Sequence, residues 1–109
     1  MTLAEQAYRL TVRFPKDEVY GMTSQIRRAA VSIAANIAEG HGRENSGSFI
    51  QFLRVAQGSL KELETHLVLA ERVKLVKMVD LEPLLKRCDD LGKMMRSLIR
   101  SIQRRQSNG

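Results

Sequence analysis

Residues 48–70 read SFIQFLRVAQGSLKELETHLVLA, and the spacing of the apolar side chains in this stretch decides the fold. Phe49, Phe52, Leu53, Ala56, Leu60, Leu63, Leu67 and Ala70 recur at intervals of three and four, which gathers them on one face of an α-helix and does not fit the alternation of a strand. The stripe runs for about six turns and fades near Lys74. Ser48 and Gln51 have capping-box spacing just after the flexible stretch Gly42 to Gly47, so a helix is predicted over about 48–74. Gly58 costs this helix about 1 kcal/mol of propensity, which predicts close approach by another backbone at that point.

Three further helices follow from the same periodicity on either side. Upstream, Ile26, Ala30, Ile33 and Ile37 share a face over about 22–41, closed by Gly40 and Gly42. Before that, Thr2 and Glu5 have capping-box spacing, and Leu3, Ala7, Leu10 and Phe14 mark a first helix over about 2–14, ended by Pro15. Downstream, Asp80 is placed to cap a fourth helix over about 80–105, with Glu82 near the positive end of its dipole and Pro83 in the first turn. Leu81, Leu84, Leu85, Cys88, Leu91, Met95, Leu98, Ile99 and Ile102 form its apolar face, with Lys86, Lys93, Arg96, Arg100 and Arg104 opposite. Residues 106–109 read as frayed.

Four amphipathic helices with short links predict an all-α, antiparallel up-down-up-down four-helix bundle, and 109 residues leave room for one domain, 1–109. There is no internal repeat. A first helix of about 13 residues spans roughly 20 Å and a third of about 27 spans roughly 40 Å, so part of the bundle is expected to lack a fourth wall. Either something outside this chain completes the first helix, or neighbouring subunits cover the apolar surface.

Bulk features exclude several classes. No apolar run approaches the roughly 18 to 20 residues of a membrane span, and Met1 to Leu10 lacks the layout of a signal peptide. A single cysteine, Cys88, forms no internal disulfide and fits a reducing compartment. The expected location is the cytoplasm, with no membrane partner.

The residues offer little to catalysis. A di-metal bundle needs Glu-x-x-His pairs facing its centre, which are missing here. His41 and His66 each follow a glutamate by two residues, and side chains two apart diverge on a helix. No serine lies in a nucleophile elbow, and Cys88 sits within an apolar stripe. Gly40, Gly42 and Gly47 lack the lysine and hydroxyl that complete a phosphate-binding loop. No catalytic residue, metal or cofactor is assigned.

Two other patterns stand out. On the second helix, Ala29, Ala30, Ala34, Ala35 and Ala38 spread round several faces, so neighbours can approach from more than one side. Among them Gln25, Arg28, Ser32, Asn36 and Glu39 form a polar line, read as a hydrogen-bonded network with the third helix or another subunit in preference to a ligand site.

The second pattern is charge. The net charge is +6, of which residues 86–105 carry +5 through Lys86, Arg87, Lys93, Arg96, Arg100, Arg104 and Arg105 against Asp89 and Asp90. Clustered cations suit polyanionic partners as well as solubility. The residues expected to contact phosphates are Arg27, Arg28, Arg43, Lys93, Arg96, Arg100, Arg104 and Arg105. There is no Trp, and Phe49 and Phe52 are assigned to the core, so backbone contacts are expected over base stacking.

The stretches Phe14-Pro15-Lys16, Tyr20-Gly21-Met22, Gln25-Ile26-Arg27-Arg28-Ala29, Ser32-Ile33, Asn36-Ile37-Ala38-Glu39-Gly40, Phe52-Leu53 and Gly58-Ser59-Leu60-Lys61-Glu62-Leu63-Glu64 carry a specific resemblance over residues 3–75. The chain resembles the four-helix-bundle proteins encoded by intervening sequences within 23S ribosomal RNA genes, relatives of the accessory variability determinant of diversity-generating retroelements. The resemblance implies a ring-shaped homopentamer and, from the retroelement relatives, a basic surface for nucleic acid and a reverse transcriptase. It implies neither an enzymatic activity nor a ribosomal role. Relatives carry several more residues ahead of the segment matching Ala7 to Leu10, where this chain departs from the pattern. The functional expectation is a non-enzymatic, oligomeric RNA- or DNA-binding protein. The alternative is a self-assembling scaffold that docks an acidic protein.

Overall fold

In the computed structural model, which describes residues 1–108 and the backbone alone at Val19 and Tyr20, four α-helices make up an all-α bundle about 52 Å long and 23 × 21 Å across. They are α1 (Leu3–Thr11), α2 (Ser24–His41), α3 (Ser46–Arg72) and α4 (Met78–Asn108). There is no strand among the described residues. Both α1 and α3 pack against α2 and against α4, so α1 lies across from α3. Successive helices run antiparallel. Ser32 of α2 meets Ser59 of α3, and the Gly40 backbone lies against Phe52. Gly92 of α4 lies against Leu60, and Arg27 of α2 reaches back to Thr11 of α1.

The core is the set of faces that periodicity marks out. Ile26, Ile33, Leu53, Leu63, Leu67, Leu81 and Met95 are the large side chains fully removed from water, together with Cys88. Burying each such aliphatic side chain contributes about 1.5–3 kcal/mol. Among the alanines of α2, Ala29 and Ala30 are buried, whereas Ala34, Ala35 and Ala38 face outward.

The helix ends differ from the sequence expectation in instructive ways. The Thr2–Glu5 capping box is present at the start of α1, but α1 ends at Thr11, where the hydroxyl donates back to the Ala7 and Tyr8 carbonyls. Phe14 is buried without belonging to the helix, so its place in the periodic stripe reflects core contact alone. Between α1 and α2, Lys16–Glu18 form a 3-10 turn and Val19–Thr23 a π turn with a kink at Gly21, so α2 begins at Ser24 and not at about residue 22. The cap of α3 is Asn45, whose side chain accepts from the Ser48 amide at 3.1 Å, and not a Ser48–Gln51 pair. Asn competes at least as well as Ser for this position, so the helix starts ahead of the expected cap. Likewise α4 starts at Met78, and Asp80 stands in its first turn, interacting with the helix dipole instead of capping. Pro83 consequently falls in the second turn.

Gly58 is the clearest correction. A methyl group added there would meet nothing within 4 Å, because the residue faces outward. The close approaches occur instead at Gly40, where an added Cβ would lie 2.9 Å from the Phe52 Cβ, and at Gly92, 3.3 Å from Leu60 Cδ2. At its far end α3 closes in a Schellman motif. Lys74 has φ 66°, its amide donates to the Glu71 carbonyl, and the Leu75 amide donates to the Ala70 carbonyl.

Candidate nucleic-acid interface

The C-terminal half of α4 owes its positive surface to a division of labour between lysines and arginines. Lys86 Nζ lies 2.8 Å from Asp90, and Lys93 Nζ lies 3.0 Å from Asp89, each pair one turn apart on the exposed face. The hydrogen bond from Lys93 holds the Asp89 carboxyl below its usual range, and the hydrogen bond to Asp90 raises Lys86. The only two carboxylates of residues 86–105 are therefore taken up by the two lysines. Arg87, Arg96, Arg100, Arg104 and Arg105 are exposed and, among the described residues, form no ion pair. Guanidinium is the better donor for phosphate, since its planar fork matches two oxygens at once.

Arg96, Arg100 and Arg104 follow at spacings of four, so they rise along one side of α4 over about 12 Å. Arg100 and Arg104 border a shallow depression of about 370 Å3 with Gln103, Ser107 and Asn108. Arg96 leans over the α3–α4 seam, beside Gln57, Glu64 and Gly92. Arg105, in the last turn, complements the negative end of the α4 dipole.

The remaining residues expected at this surface divide. Arg43, in the α2–α3 link, pairs with Glu39 at 3.1 Å and stacks over the Phe52 ring at 4.9 Å. The contacts of Phe52 with Gly40, and of Leu60 with Gly92, put this link at the level of the arginine-rich end of α4. Arg27 and Arg28 lie toward the opposite end of the bundle. Arg27 is half-buried, donates from Nε to the Thr11 hydroxyl at 2.9 Å and stacks on Tyr8 at 3.8 Å. It is a structural clamp between α1 and α2. Arg28 is exposed and borders a groove of about 540 Å3 with Gln25, Ser32, Ser59 and Glu62.

The polar line on α2 is not a single network. Ser32 and Asn36 form its centre, with Asn36 donating to the Ser32 carbonyl at 2.8 Å and the Ser32 hydroxyl 2.8 Å from that of Ser59. Glu39 turns to Arg43, while Gln25 and Arg28 are exposed. Ser59 and Tyr8 are partners that one helix read alone does not disclose. Arg87, which is not among the residues expected at this surface, is also exposed and has no ion-pair partner among the described residues. Cys88 is buried, with its thiol pushed up to about 12 by desolvation and by the nearby Glu64 carboxylate, which makes it a poor nucleophile.

No helix is long and apolar enough to cross a membrane, and no group of three His, Cys, Asp or Glu side chains converges among the described residues. No curated protein matches the chain in sequence. Among solved structures, a protein of unknown function from the S23 ribosomal protein family of Bacteroides thetaiotaomicron, solved at 1.70 Å, shares the fold with a TM-score of 0.75. It is 23% identical, and the match covers 90% of this chain and 98% of that one. The description of the 23S rRNA-intervening sequence protein family matches residues 1–97, which takes in all of α1 to α3 and α4 as far as Ser97. By that match, the chain belongs to the 23S rRNA-intervening sequence protein family.

Proposed function

We propose that the protein is a non-enzymatic, cytoplasmic, oligomeric binder of RNA or DNA, engaging phosphates through the arginines of α4. One observation carries this reading: lysines occupy the local carboxylates, leaving Arg96, Arg100, Arg104 and Arg105 exposed and, among the described residues, without an ion-pair partner. Arg43, at the same end of the bundle, extends the surface. The absence of Trp and the half-buried state of Phe49 and Phe52 favour backbone contacts over stacking on bases. Kinship with the accessory proteins of diversity-generating retroelements, inferred from the α2 and α3 motifs, supports both the nucleic-acid reading and assembly as a homopentamer. The outward-facing Ala34, Ala35 and Ala38 suit close packing between subunits.

The test is a salt titration of binding to random-sequence duplex, followed by anisotropy. Replacing Arg96, Arg100, Arg104 and Arg105 with serine is expected to weaken binding across sequences and to lower the salt slope by about 0.9 for each phosphate that is no longer neutralised. Unchanged affinity and slope refute the assignment. The second reading, a self-assembling scaffold whose basic stripe docks an acidic protein, is favoured by the mostly apolar trough between α2 and α4, which suits a protein surface better than a polyanion; it predicts no binding to random nucleic acid at moderate salt.

A further inference from the structure

Helices α3 and α4 meet along a seam that side chains do not fully close. Gly92 of α4 is buried and faces Leu60 of α3, where an added Cβ would lie 3.3 Å from Leu60 Cδ2. With no side chain at that point, the seam opens into a crevice of about 420 Å3. Its buried floor is Leu60, Cys88 and Gly92, and the rest of its lining is charged or carries an amide. A volume of this size falls within the range of small-molecule sites.

The charges of the crevice are sorted by sign along its length. Arg96 folds back over α4, with Nη1 3.4 Å from the place a Gly92 Cβ would take. Glu64 reaches from α3 to the level of Cys88, whose thiol is raised in part by this carboxylate. Glu64 is half-buried, and neither it nor Arg96 has an ion-pair partner among the described residues. Lys61, one turn before Glu64 on α3, is exposed at the mouth and does not pair with it. Asp89, at the outer edge, is taken up by Lys93 at 3.0 Å. Cys88 and Gly92 are one turn of α4 apart, so the free guanidinium and the free carboxylate stand roughly 6 Å apart along the floor.

We propose that this crevice binds a small zwitterion, a short γ-amino acid whose carboxylate meets Arg96 and whose ammonium meets Glu64. A simple anion would satisfy Arg96 and leave the partly desolvated Glu64 carboxylate without a partner, and a simple amine would do the reverse. The zwitterion satisfies both, and its methylenes cover Leu60 and Gly92. An α-amino acid holds its two charges too close together to reach both partners across one helical turn. Gln57, beside Arg96, supplies an amide that donates to the same ligand carboxylate. This inference goes beyond the phosphate-binding reading and shares only Arg96 with it, since Glu64, Leu60 and Gly92 take no part in that surface.

The probe is γ-aminobutanoate, titrated into the full chain at neutral pH without nucleic acid while the Leu60 methyl and Gly92 amide NMR signals are followed. Saturable shifts of both signals are expected. Butanoate and butylamine, each lacking one charge, should bind at least roughly tenfold more weakly. In Glu64→Gln the advantage of γ-aminobutanoate over butanoate should vanish, and in Arg96→Gln its advantage over butylamine should vanish. Both side chains reach solvent, so the variants keep the fold, which circular dichroism checks. Equal shifts with all three compounds overturn the proposal, as do shifts that never saturate or a discrimination that survives in Glu64→Gln. Because the titration contains no nucleic acid, its failure leaves the phosphate-binding reading to its own salt titration.

Discussion

The same substitution at three glycines should give three different results, because the fold leaves different space at each. Gly58 lies within α3 with nothing within 4 Å of an added methyl. Gly58→Ala therefore gains the full helix-propensity difference, about 1 kcal/mol. At Gly40 the added Cβ would lie 2.9 Å from the Phe52 Cβ and 3.3 Å from the Phe49 carbonyl oxygen, atoms fixed to the α3 backbone. Helices α2 and α3 must then separate slightly, an overpacking cost of about 1–3 kcal/mol that outweighs the propensity gained near a helix end. Gly92 is intermediate, since its neighbours are the flexible tips of Leu60 and Arg96, and Gly92→Ala should be close to neutral. Urea denaturation followed by far-ultraviolet circular dichroism measures all three, at matched protein concentration so that association contributes equally. With a slope near 1.3 kcal/mol/M, the midpoint should rise by about 0.8 M for Gly58→Ala and fall by about 1 M for Gly40→Ala. A destabilised Gly58→Ala variant would mean that the outer face of α3 is packed against another chain, and the reasoning would fail at that position.

Other perturbations test the local structure. Asn45→Ala should cost about 1 kcal/mol through loss of the α3 cap, while Ser48→Ala should change the urea midpoint little; the reverse order would restore Ser48 as the capping residue. Lys74→Gly should stabilise the protein by up to about 1 kcal/mol, since φ 66° is strained for lysine and free for glycine, and no gain in melting temperature would contradict the left-handed turn. Native Cys88 should resist iodoacetamide at mildly alkaline pH and react readily in denaturant, given a folded-state thiol value of about 12 against 9.0. Because that value is raised, its stabilising contribution is intact below the unfolded thiol's range and is lost as pH rises from about 9 toward 12. Equal alkylation rates in the folded and unfolded protein would show the thiol to be exposed.

The bundle was legible in the sequence because helix periodicity is a local property. The stripe from Leu53 to Ala70 faces inward whatever packs against it, and Ile26, Ile33, Leu81 and Met95 were likewise readable as core. The excess of cations near the C-terminus needed only counting. Which cations are free could not be counted, because pairing depends on geometry. Arg27 and Arg28 are adjacent in sequence, yet the first is clamped between Thr11 and Tyr8 and the second faces water. Lys93 and Arg96 belong to one basic stripe, yet the first is paired with Asp89.

The sequence by itself determined the helical class, the inward faces and the sign of the surface, since each depends on residue type and on spacings within one or two turns. Tertiary structure alone decided where backbones approach closely, moving that role from Gly58 to Gly40 and Gly92. It also decided that Ser32 meets Ser59, and that Met94 borders the trough between α2 and α4 together with Ile33, Ile37 and Leu91. These facts involve residues far apart in the chain, whose distances are set by how whole helices pack and where each one ends.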